Sequence, residues 1–218
     1  MTAYLFLADG FEEVEALTTA DILIRAGVDV KLVKVLTDIN KAINSPIASV
    51  INDEKNTYKI NADNGNHGSG CRSVRGSHNI RIKPDLTLGL DTEVSDLMDG
   101  DCIILPGGMP GTKNLAASAD IIKLIKAYNE AGKVVAAICA APSVLGENGL
   151  LKGKKATCFP GFEDKLEGAT IVNTGAVIDG NIVTGKSMGS AVTFGLAVTE
   201  ALLGKDAAIK VEASIYRG

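Results

Sequence analysis

The segment Val134-Val-Ala-Ala-Ile-Cys-Ala-Ala-Pro-Ser-Val-Leu-Gly146 decides the fold. Its first residues, 134–138, are small or β-branched and apolar, which predicts a strand buried on both faces. The residues after Cys139 are compatible with a helix that begins at once. The segment therefore predicts a strand, a sharp turn and a helix, with Cys139 on the turn at the carboxyl end of the strand.

Cys139 occupies a position that favours chemical reactivity. In such a turn, the free backbone N–H groups of the next helix's first turn point toward the side chain. The partial positive charge of a helix N-terminus favours a thiolate over a thiol, so we expect the pKa of Cys139 to be lowered. A free cysteine is also compatible with an inert role as a small buried apolar residue. The turn favours the reactive interpretation.

Composition excludes several classes of protein. The chain has 218 residues, of which 46% are hydrophobic, and a formal net charge of −4. These values are typical of a soluble protein and favour one domain, residues 1–218. Basic residues are dispersed and aromatic residues make up only 4%, so no nucleic-acid surface is predicted. No apolar run approaches the roughly 18 residues that a membrane span needs, so no membrane contact is predicted.

The thiols and the amino-terminal residues indicate a cytoplasmic protein. Residues 1–9 contain a short apolar stretch with no basic residue before it, which predicts a first strand rather than a signal peptide. The chain has only two histidines and four widely spaced cysteines, Cys71, Cys102, Cys139 and Cys158. This spacing predicts reduced thiols and no metal site.

Strand and helix patterns alternate along most of the chain. The patterns predict strands over residues 4–8, 28–36, 78–83, 101–105, 134–138, 155–159, 169–173 and 181–184. They predict helices over residues 12–26, 92–97, 114–132 (with a break near Ser118), 141–149, 189–203 and 207–213. This order is typical of a three-layer α/β/α sandwich with a mostly parallel sheet.

Residues 37–75 interrupt this alternation. They are rich in Asn, Asp, Ser and Gly and show no helical period. Residues 47–51 and 57–60 are compatible with a small hairpin, and residues 64–70 indicate a loop. A connection of this length is unusual inside a compact domain. We therefore interpret residues 37–75 as an inserted loop or hairpin.

Three strand ends carry chemical groups at the sheet edge where ligands bind in open α/β folds. An acidic segment, residues 12–15, follows the first strand, and Pro106-Gly-Gly108 follows a later one. Adjacent glycines let backbone N–H groups approach a bound oxygen closely. With the N–H of Ala140, they are compatible with an oxyanion hole for a carbonyl attacked by Cys139. Taken alone, the glycine pair favours a tight turn without a binding role.

Three motifs that occur in order carry a resemblance to a known family. They are Ala8-Asp-Gly-Phe-Glu-Glu-Val-Glu-Ala16, Leu105-Pro-Gly-Gly-Met-Pro-Gly111 and Ala136-Ala-Ile-Cys-Ala-Ala-Pro142. In these motifs the chain resembles the ThiJ/PfpI family, in the branch that contains the parkinsonism-associated protein deglycase and bacterial proteins named for thiazole biosynthesis. The resemblance covers residues 1–36 and 76–218. It implies a flavodoxin-like fold, similar to that of class I glutamine amidotransferases, and a homodimer.

The resemblance implies roles for the residues that match the family's motifs. Cys139 matches the family's reactive, easily oxidised cysteine, and Glu15 matches an acid whose protonated carboxyl hydrogen-bonds that sulfur. Gly108 and Ala140 match backbone donors around the sulfur, and Arg25 matches a residue at the dimer contact. The resemblance implies no cofactor. Glu15 is also compatible with a helix-terminal acid favoured only by the helix dipole.

One position departs from the family pattern. Members with robust hydrolytic or glyoxalase activity resemble one another in placing a histidine beside the cysteine. Here Ala140 follows Cys139, and Phe159 lies where a later histidine would fall. The missing Cys-His pair disfavours a peptidase. Of the two histidines, His67 and His78, the second is expected at the surface or at a dimer contact.

These observations leave three functions open. The first is a cysteine-dependent deglycase or glyoxalase-like enzyme, whose Cys139 thiolate adds to a small oxoaldehyde or a glycated substrate. The second is a non-enzymatic sensor of oxidative stress, in which Cys139 is oxidised to a sulfinic acid without a general base. The third is chaperone-like partner binding through residues 37–75.

Overall fold

A computed structural model describes residues 1–36 and 73–215 of the protein. The predicted hairpin within residues 47–60, the predicted loop of residues 64–70 and His67 lie outside the described residues. Within the described ranges, no helix combines the length and the apolar character that crossing a membrane requires.

Strands and helices alternate as the sequence predicts. The strands are β1 (Thr2–Leu7), β2 (Asp29–Val35), β3 (Val74–Arg75), β4 (Arg81–Ile82), β5 (Leu86–Leu88), β6 (Cys102–Leu105), β7 (Val134–Ile138), β8 (Lys155–Ala156), β9 (Thr170–Ile171), β10 (Ala176–Asp179) and β11 (Ile182–Gly185). The α-helices are α1 (Glu13–Arg25), α2 (Gly111–Ala116), α3 (Ala119–Glu130), α4 (Pro142–Gly146), α5 (Ala191–Leu203) and α6 (Lys205–Ser214). Short 3-10 helices cover Val94–Leu97, Glu163–Lys165 and Met188–Ser190.

The central sheet is mostly parallel. Seven strands follow the order β10-β11-β7-β6-β1-β2-β5. Only β10 runs antiparallel to its neighbour β11, and the other adjacent pairs are parallel. The carboxyl ends of β1, β6 and β7 therefore meet at one edge of the sheet, where ligands bind in such folds. The predicted fold class is confirmed.

Side chains of the central strands alternate between two apolar cores. In β1, Tyr4 and Phe6 face the core that contains apolar side chains of α3, whereas Ala3, Leu5 and Leu7 face the core that contains side chains of α1 and α5. This period of two residues matches the geometry of a strand buried on both faces. Helices cover the two faces, which gives the predicted three layers.

Some elements differ from the prediction because they lack a clear hydrophobic period. No strand is predicted from the sequence at β5 or β10, and β10 is only partly buried. Of the predicted strand over residues 78–83, only β4 is extended, and it pairs with β3. Since β3 falls within residues 37–75, the end of the predicted insertion already belongs to this hairpin.

The predicted helix break near Ser118 is confirmed. The helix α2 ends at Ala116, and Ser118 is the N-cap of α3, where its Oγ accepts a hydrogen bond from the N–H of Ile121 at 3.4 Å. A serine side chain at this position satisfies a backbone donor that has no partner within the helix. The short helix α2 thus follows the glycine-rich turn after β6 as a separate unit.

Candidate functional site

Cys139 lies on the turn between β7 and α4, in a backbone conformation that few residues adopt. Its φ is +66°, and this left-handed region costs a non-glycine residue about 1–2 kcal/mol. Its N–H donates to the carbonyl of Gly185 at 2.9 Å, and its carbonyl accepts from the N–H of Phe159 at 2.8 Å. Neighbouring segments therefore hold the turn, and Cys139 remains partly exposed.

Glu15 extends from the first turn of α1 to the same turn. The residue is only 1% exposed. Its Oε2 accepts a hydrogen bond from the N–H of Gly107 at 2.9 Å, and its carboxyl is hydrogen-bonded to the Cys139 side chain. Its Oε1 is buried and has no hydrogen-bond partner in the described part of the protein. A buried and incompletely paired carboxylate is costly, so this arrangement favours the protonated carboxyl.

The surroundings of Glu15 favour the protonated form of its carboxyl up to nearly neutral pH. Burial raises the pKa of Glu15 to about 7, and the charge of Glu12 acts in the same direction. Hydrogen bonds from Cys139 and Gly107 lower the pKa but do not offset burial. Glu15 is therefore suited to giving and taking a proton under physiological conditions.

The expected lowering of the Cys139 pKa is wrong. Burial, followed by the charge and hydrogen bond of Glu15, raises the pKa of the thiol to about 12. The N–H groups of Ala140 and Gly108 lower it, as the helix argument expects, but have the smaller effect. The sequence argument includes these donors but omits desolvation and the nearby carboxylate. The two groups are coupled, since a proton on Glu15 removes the repulsion and turns its carboxyl into a donor.

The glycine pair after β6 brings backbone donors to both ionisable groups. Gly107 donates to Glu15, and the N–H of Gly108 lowers the pKa of the Cys139 thiol. A Cβ on Gly107 would lie 2.6 Å from the Cys139 Cβ and 2.8 Å from the Glu15 Oε2. Gly108 has a φ of +87°, and a Cβ there would lie 2.4 Å from the Glu12 nitrogen. The structure thus brings together the four predicted site residues Cys139, Glu15, Gly108 and Ala140.

Gly107→Ala is expected to lower the free energy of unfolding by about 2 kcal/mol, because the added methyl group overlaps Cys139 and Glu15. Urea unfolding measures this loss. Gly189→Ala is the matched control, since a Cβ there would have only the Ser187 Oγ nearby, at 3.8 Å. Equal losses in the two variants would contradict the packing argument.

The other two described cysteines differ from Cys139 in exposure. Cys102 and Cys158 are buried. Burial raises the pKa of Cys158 to about 11 and also raises the pKa of Cys102. Among the described cysteines, Cys139 is therefore the most accessible to a reagent.

Within residues 1–36 and 73–215, no histidine lies beside the Cys139 turn at the position of Phe159. Phe159 lies there, held by its backbone hydrogen bond to Cys139, and 44% of it is exposed. A phenyl ring cannot transfer a proton. His78 is exposed and forms an ion pair with Glu13 at 3.0 Å. Arg25 pairs with Asp21 on the surface at 2.6 Å.

Glu13 has a role that sequence reasoning misses. Its side chain is 3% exposed and accepts hydrogen bonds from the N–H of His78 at 2.8 Å and the N–H of Ile80 at 3.4 Å. Burial opposes ionisation, but hydrogen bonds led by that from the His78 side chain lower the pKa of Glu13 to about 2. Glu13 therefore fixes the β3–β4 hairpin to the start of α1. No sequence pattern links position 13 to position 78.

Glu13→Ala is expected to lower the free energy of unfolding by about 2 kcal/mol, because the buried Glu13 carboxylate accepts hydrogen bonds from two backbone N–H groups. Urea unfolding measures the loss, and hydrogen exchange at the amides of His78 and Ile80 should accelerate. Glu130→Ala, at the exposed end of α3, serves as the control. Unchanged exchange at both amides would show that Glu13 does not hold the hairpin.

One group of side chains in the described ranges has the composition of a metal site. Ligand-type atoms of Glu12, Glu13 and His78 lie within 4.8 Å of one another. However, the Glu13 carboxylate already accepts hydrogen bonds from the backbone and the imidazole. The ion pair accounts for this geometry, and we interpret the group as a structural contact.

Relatives of known sequence cover the region that forms this site. The sequence model of the DJ-1/PfpI family matches residues 1–201. Protein dj-1beta of Drosophila melanogaster is 30% identical, and the match covers 94% of this chain and 91% of that protein. Protein DJ-1 homolog B of Arabidopsis thaliana is 34% identical over 94% of this chain. The chain spans only 39% of that relative, and 45% of the Arabidopsis DJ-1 homolog A.

Solved structures agree with these relatives. A DJ-1 superfamily protein from Salmonella typhimurium is similar with a TM-score of 0.76 and 28% identity, and covers 100% of this chain and 98% of its own. Oxidized DJ-1 from Toxoplasma gondii gives a TM-score of 0.74 and 28% identity, and covers 98% of this chain and 97% of its own. Together with the turn at Cys139, Glu15 and the glycine pair, these similarities show that the chain belongs to the DJ-1/PfpI family.

Proposed function

We propose that the protein is a cofactor-independent enzyme of the glyoxalase or deglycase type, acting on small α-oxoaldehydes or their adducts. The observation that carries this proposal is the convergence of one carboxyl and two backbone donors on one partly exposed sulfur. The carboxyl of Glu15 and the N–H groups of Gly108 and Ala140 all act on the pKa of the Cys139 thiol. The Glu15 pKa of about 7 suits proton transfer near neutrality.

The first step forms a hemithioacetal. The Cys139 thiol gives its proton to the Glu15 carboxylate, and the sulfur forms a bond to the aldehyde carbon. The electron pair of the carbonyl moves to oxygen, where the N–H groups of Gly108 and Ala140 stabilise the charge. Glu15 then returns the proton to that oxygen. The thiol and the aldehyde combine, and no atom leaves.

The second stage rearranges the adduct and releases the product. A proton moves from the former aldehyde carbon to the neighbouring carbon, and the hydroxyl proton moves to the oxygen on that neighbouring carbon, so the first carbon is oxidised while the second is reduced. This shift yields a thioester, and water hydrolyses it to a 2-hydroxy acid and restores the thiol. Glu15 is suited to carry the proton, because it is hydrogen-bonded to the sulfur. The sequence is balanced without an external oxidant.

Product analysis with purified protein tests this proposal. Methylglyoxal, supplied without glutathione, is expected to give one lactate per aldehyde consumed over many turnovers. Aldehyde loss without lactate would indicate only adducts on lysine and arginine side chains, and would contradict the proposal. Lactate limited to one equivalent per protein would contradict turnover.

We propose oxidation sensing as the second candidate function. The position of Phe159 favours it, because Glu15 can take the thiol proton and oxidation of the resulting thiolate by peroxide needs no histidine. The partial exposure of Cys139, against the burial of Cys102 and Cys158, selects the same sulfur. The carboxyl of Glu15 would donate a hydrogen bond to the oxidised group.

Mass spectrometry tests this alternative. Limited peroxide is expected to add about 32 Da, two oxygens, at Cys139 before either buried thiol reacts. Oxidation that begins at Cys102 or Cys158 would contradict a sensing role for Cys139. A protein that gains the oxygens but makes no lactate would favour sensing over catalysis.

We also propose that residues 1–218 form one domain with an insertion at residues 37–75, and that two copies dimerise near Arg25. Partner binding by the insertion and a cytoplasmic location belong to the same set of proposals. Sedimentation of the purified protein tests dimer formation, and a monomer at micromolar concentration would contradict it.

A further inference from the structure

A second concave site lies next to the cysteine turn. It has a volume of about 360 Å³ and lies between α2, α4 and the 3-10 helix Glu163–Lys165. Cavities of this size accommodate small organic ligands. Neither Cys139 nor Glu15 lines it. Other side chains therefore determine which ligands the pocket can bind.

The backbone connects this pocket to the sulfur site. Met109, in its wall, directly follows the Gly108 that donates to the sulfur. Ser143, also in its wall, donates from its Oγ to the carbonyl of Ala140 at 2.7 Å. The pocket wall and the backbone N–H groups near the sulfur therefore belong to the same two short segments.

One part of the pocket is apolar. Met109, Ala116 and Phe162 line it. Met109 is 41% exposed, whereas Ala116 and Phe162 pack partly against the core. An apolar ligand that covers these side chains removes apolar surface from water, which is favourable by about 25 cal/mol per Å².

The rim of the pocket carries an excess positive charge. Lys113 lines the pocket, and no acidic partner for it occurs in the described ranges. Lys165 lines it as well, and pairs with Glu147 at 2.8 Å. Two ammonium groups and one carboxylate leave one net positive charge, which favours an anion.

A buried hydroxyl in the wall supports occupation of the pocket. Thr112 is 2% exposed, and its Oγ1 has no hydrogen-bond partner in the described part of the chain. An unsatisfied buried polar group costs about 1–3 kcal/mol. A polar ligand atom brought there by a small local shift would relieve this cost.

We propose that the pocket binds a small organic anion, with its apolar body against Met109, Ala116 and Phe162 and its charge near Lys113. The proposal rests on the shape and charge of the pocket and not on the proposed reaction of Cys139. The carboxylate 4-phenylbutyrate is a suitable probe, because it combines a ring with one negative charge. Its alcohol, 4-phenylbutan-1-ol, lacks the charge, and acetate lacks the apolar body.

Amide chemical shifts of the full chain during titration test the proposal. Saturable changes are expected at Thr112, Ala116 and Phe162 with 4-phenylbutyrate, with at least fivefold weaker binding of the alcohol and no saturation with acetate. Ala116→Phe, which fills the pocket, should abolish saturation. Lys113→Gln should weaken binding about fivefold, which corresponds to an exposed ion pair.

Lys126→Gln is the matched control, since it removes a lysine from the exposed face of α3 outside the pocket. It should leave the affinity unchanged, as should Cys139→Ser. Binding that persists in Ala116→Phe, or equal affinities for the acid and the alcohol, would overturn the proposal. An equal loss in Lys126→Gln would do the same, since it would show a general charge effect. Because binding is measured without turnover, its failure and the failure of the proposed enzyme are separate results.

Discussion

Cys139→Ser is expected to reduce lactate formation from methylglyoxal at least roughly 100-fold, because a hydroxyl at this position is a far weaker nucleophile than the thiol. Serine has nearly the same shape, and it can keep the backbone hydrogen bonds to Gly185 and Phe159. The folded structure should therefore persist while the reaction is lost. Initial rates of lactate formation, normalised to folded protein, measure the effect.

Cys158→Ser is the control for the loss of a thiol. Cys158 is buried, at 4% exposure, and lies outside the hydrogen bonds that converge on Cys139. Its replacement should retain lactate formation per folded molecule. A Cys139→Ser protein that matches the wild type in rate would refute the proposed nucleophile.

Glu15→Gln is expected to change how stability depends on pH. The pKa of Glu15 is raised from 4.5 in its ordinary state to about 7 in the fold. Between these values the unfolded chain has released the proton while the folded protein retains it, so the wild type loses stability as pH rises. Glutamine carries no such proton. From pH 5 to pH 8 the variant should therefore gain roughly 2–3 kcal/mol relative to the wild type.

Urea unfolding at both pH values measures this difference. Glu167→Gln, which alters an exposed carboxyl, controls for the general effect of removing a negative charge. If Glu15→Gln and the wild type show the same change between pH 5 and pH 8, then Glu15 does not hold a proton in the fold. A raised pKa for this residue would then be excluded.

Much of this site can be predicted from local sequence. A run of small apolar residues followed by a helix-compatible segment predicts the turn at Cys139. The glycine pair predicts a close approach of the backbone. These features depend on neighbours in the chain, so periodicity and turn chemistry reveal them. The position of Glu15 beside the sulfur is implied only by the family resemblance, because α1 and β7 are distant in sequence.

Other features depend on contacts that no local pattern encodes. The raised pKa of Cys139 arises from burial and from a carboxyl of another segment. The role of Glu13 arises from a hairpin more than sixty residues away. The strands β5 and β10 lie at the two edges of the sheet, where one-sided burial weakens the hydrophobic period. Tertiary context decides such elements.

The strand order sets the moment at which the cysteine turn is complete during synthesis. β7 lies between β6 and β11, and the N–H of Cys139 donates to Gly185 at the end of β11. Until the ribosome has released β11, β7 is an edge strand with unpaired backbone groups, open to pairing with another nascent chain. Products that terminate before β11 therefore carry both an unsupported sulfur and a surface prone to aggregation.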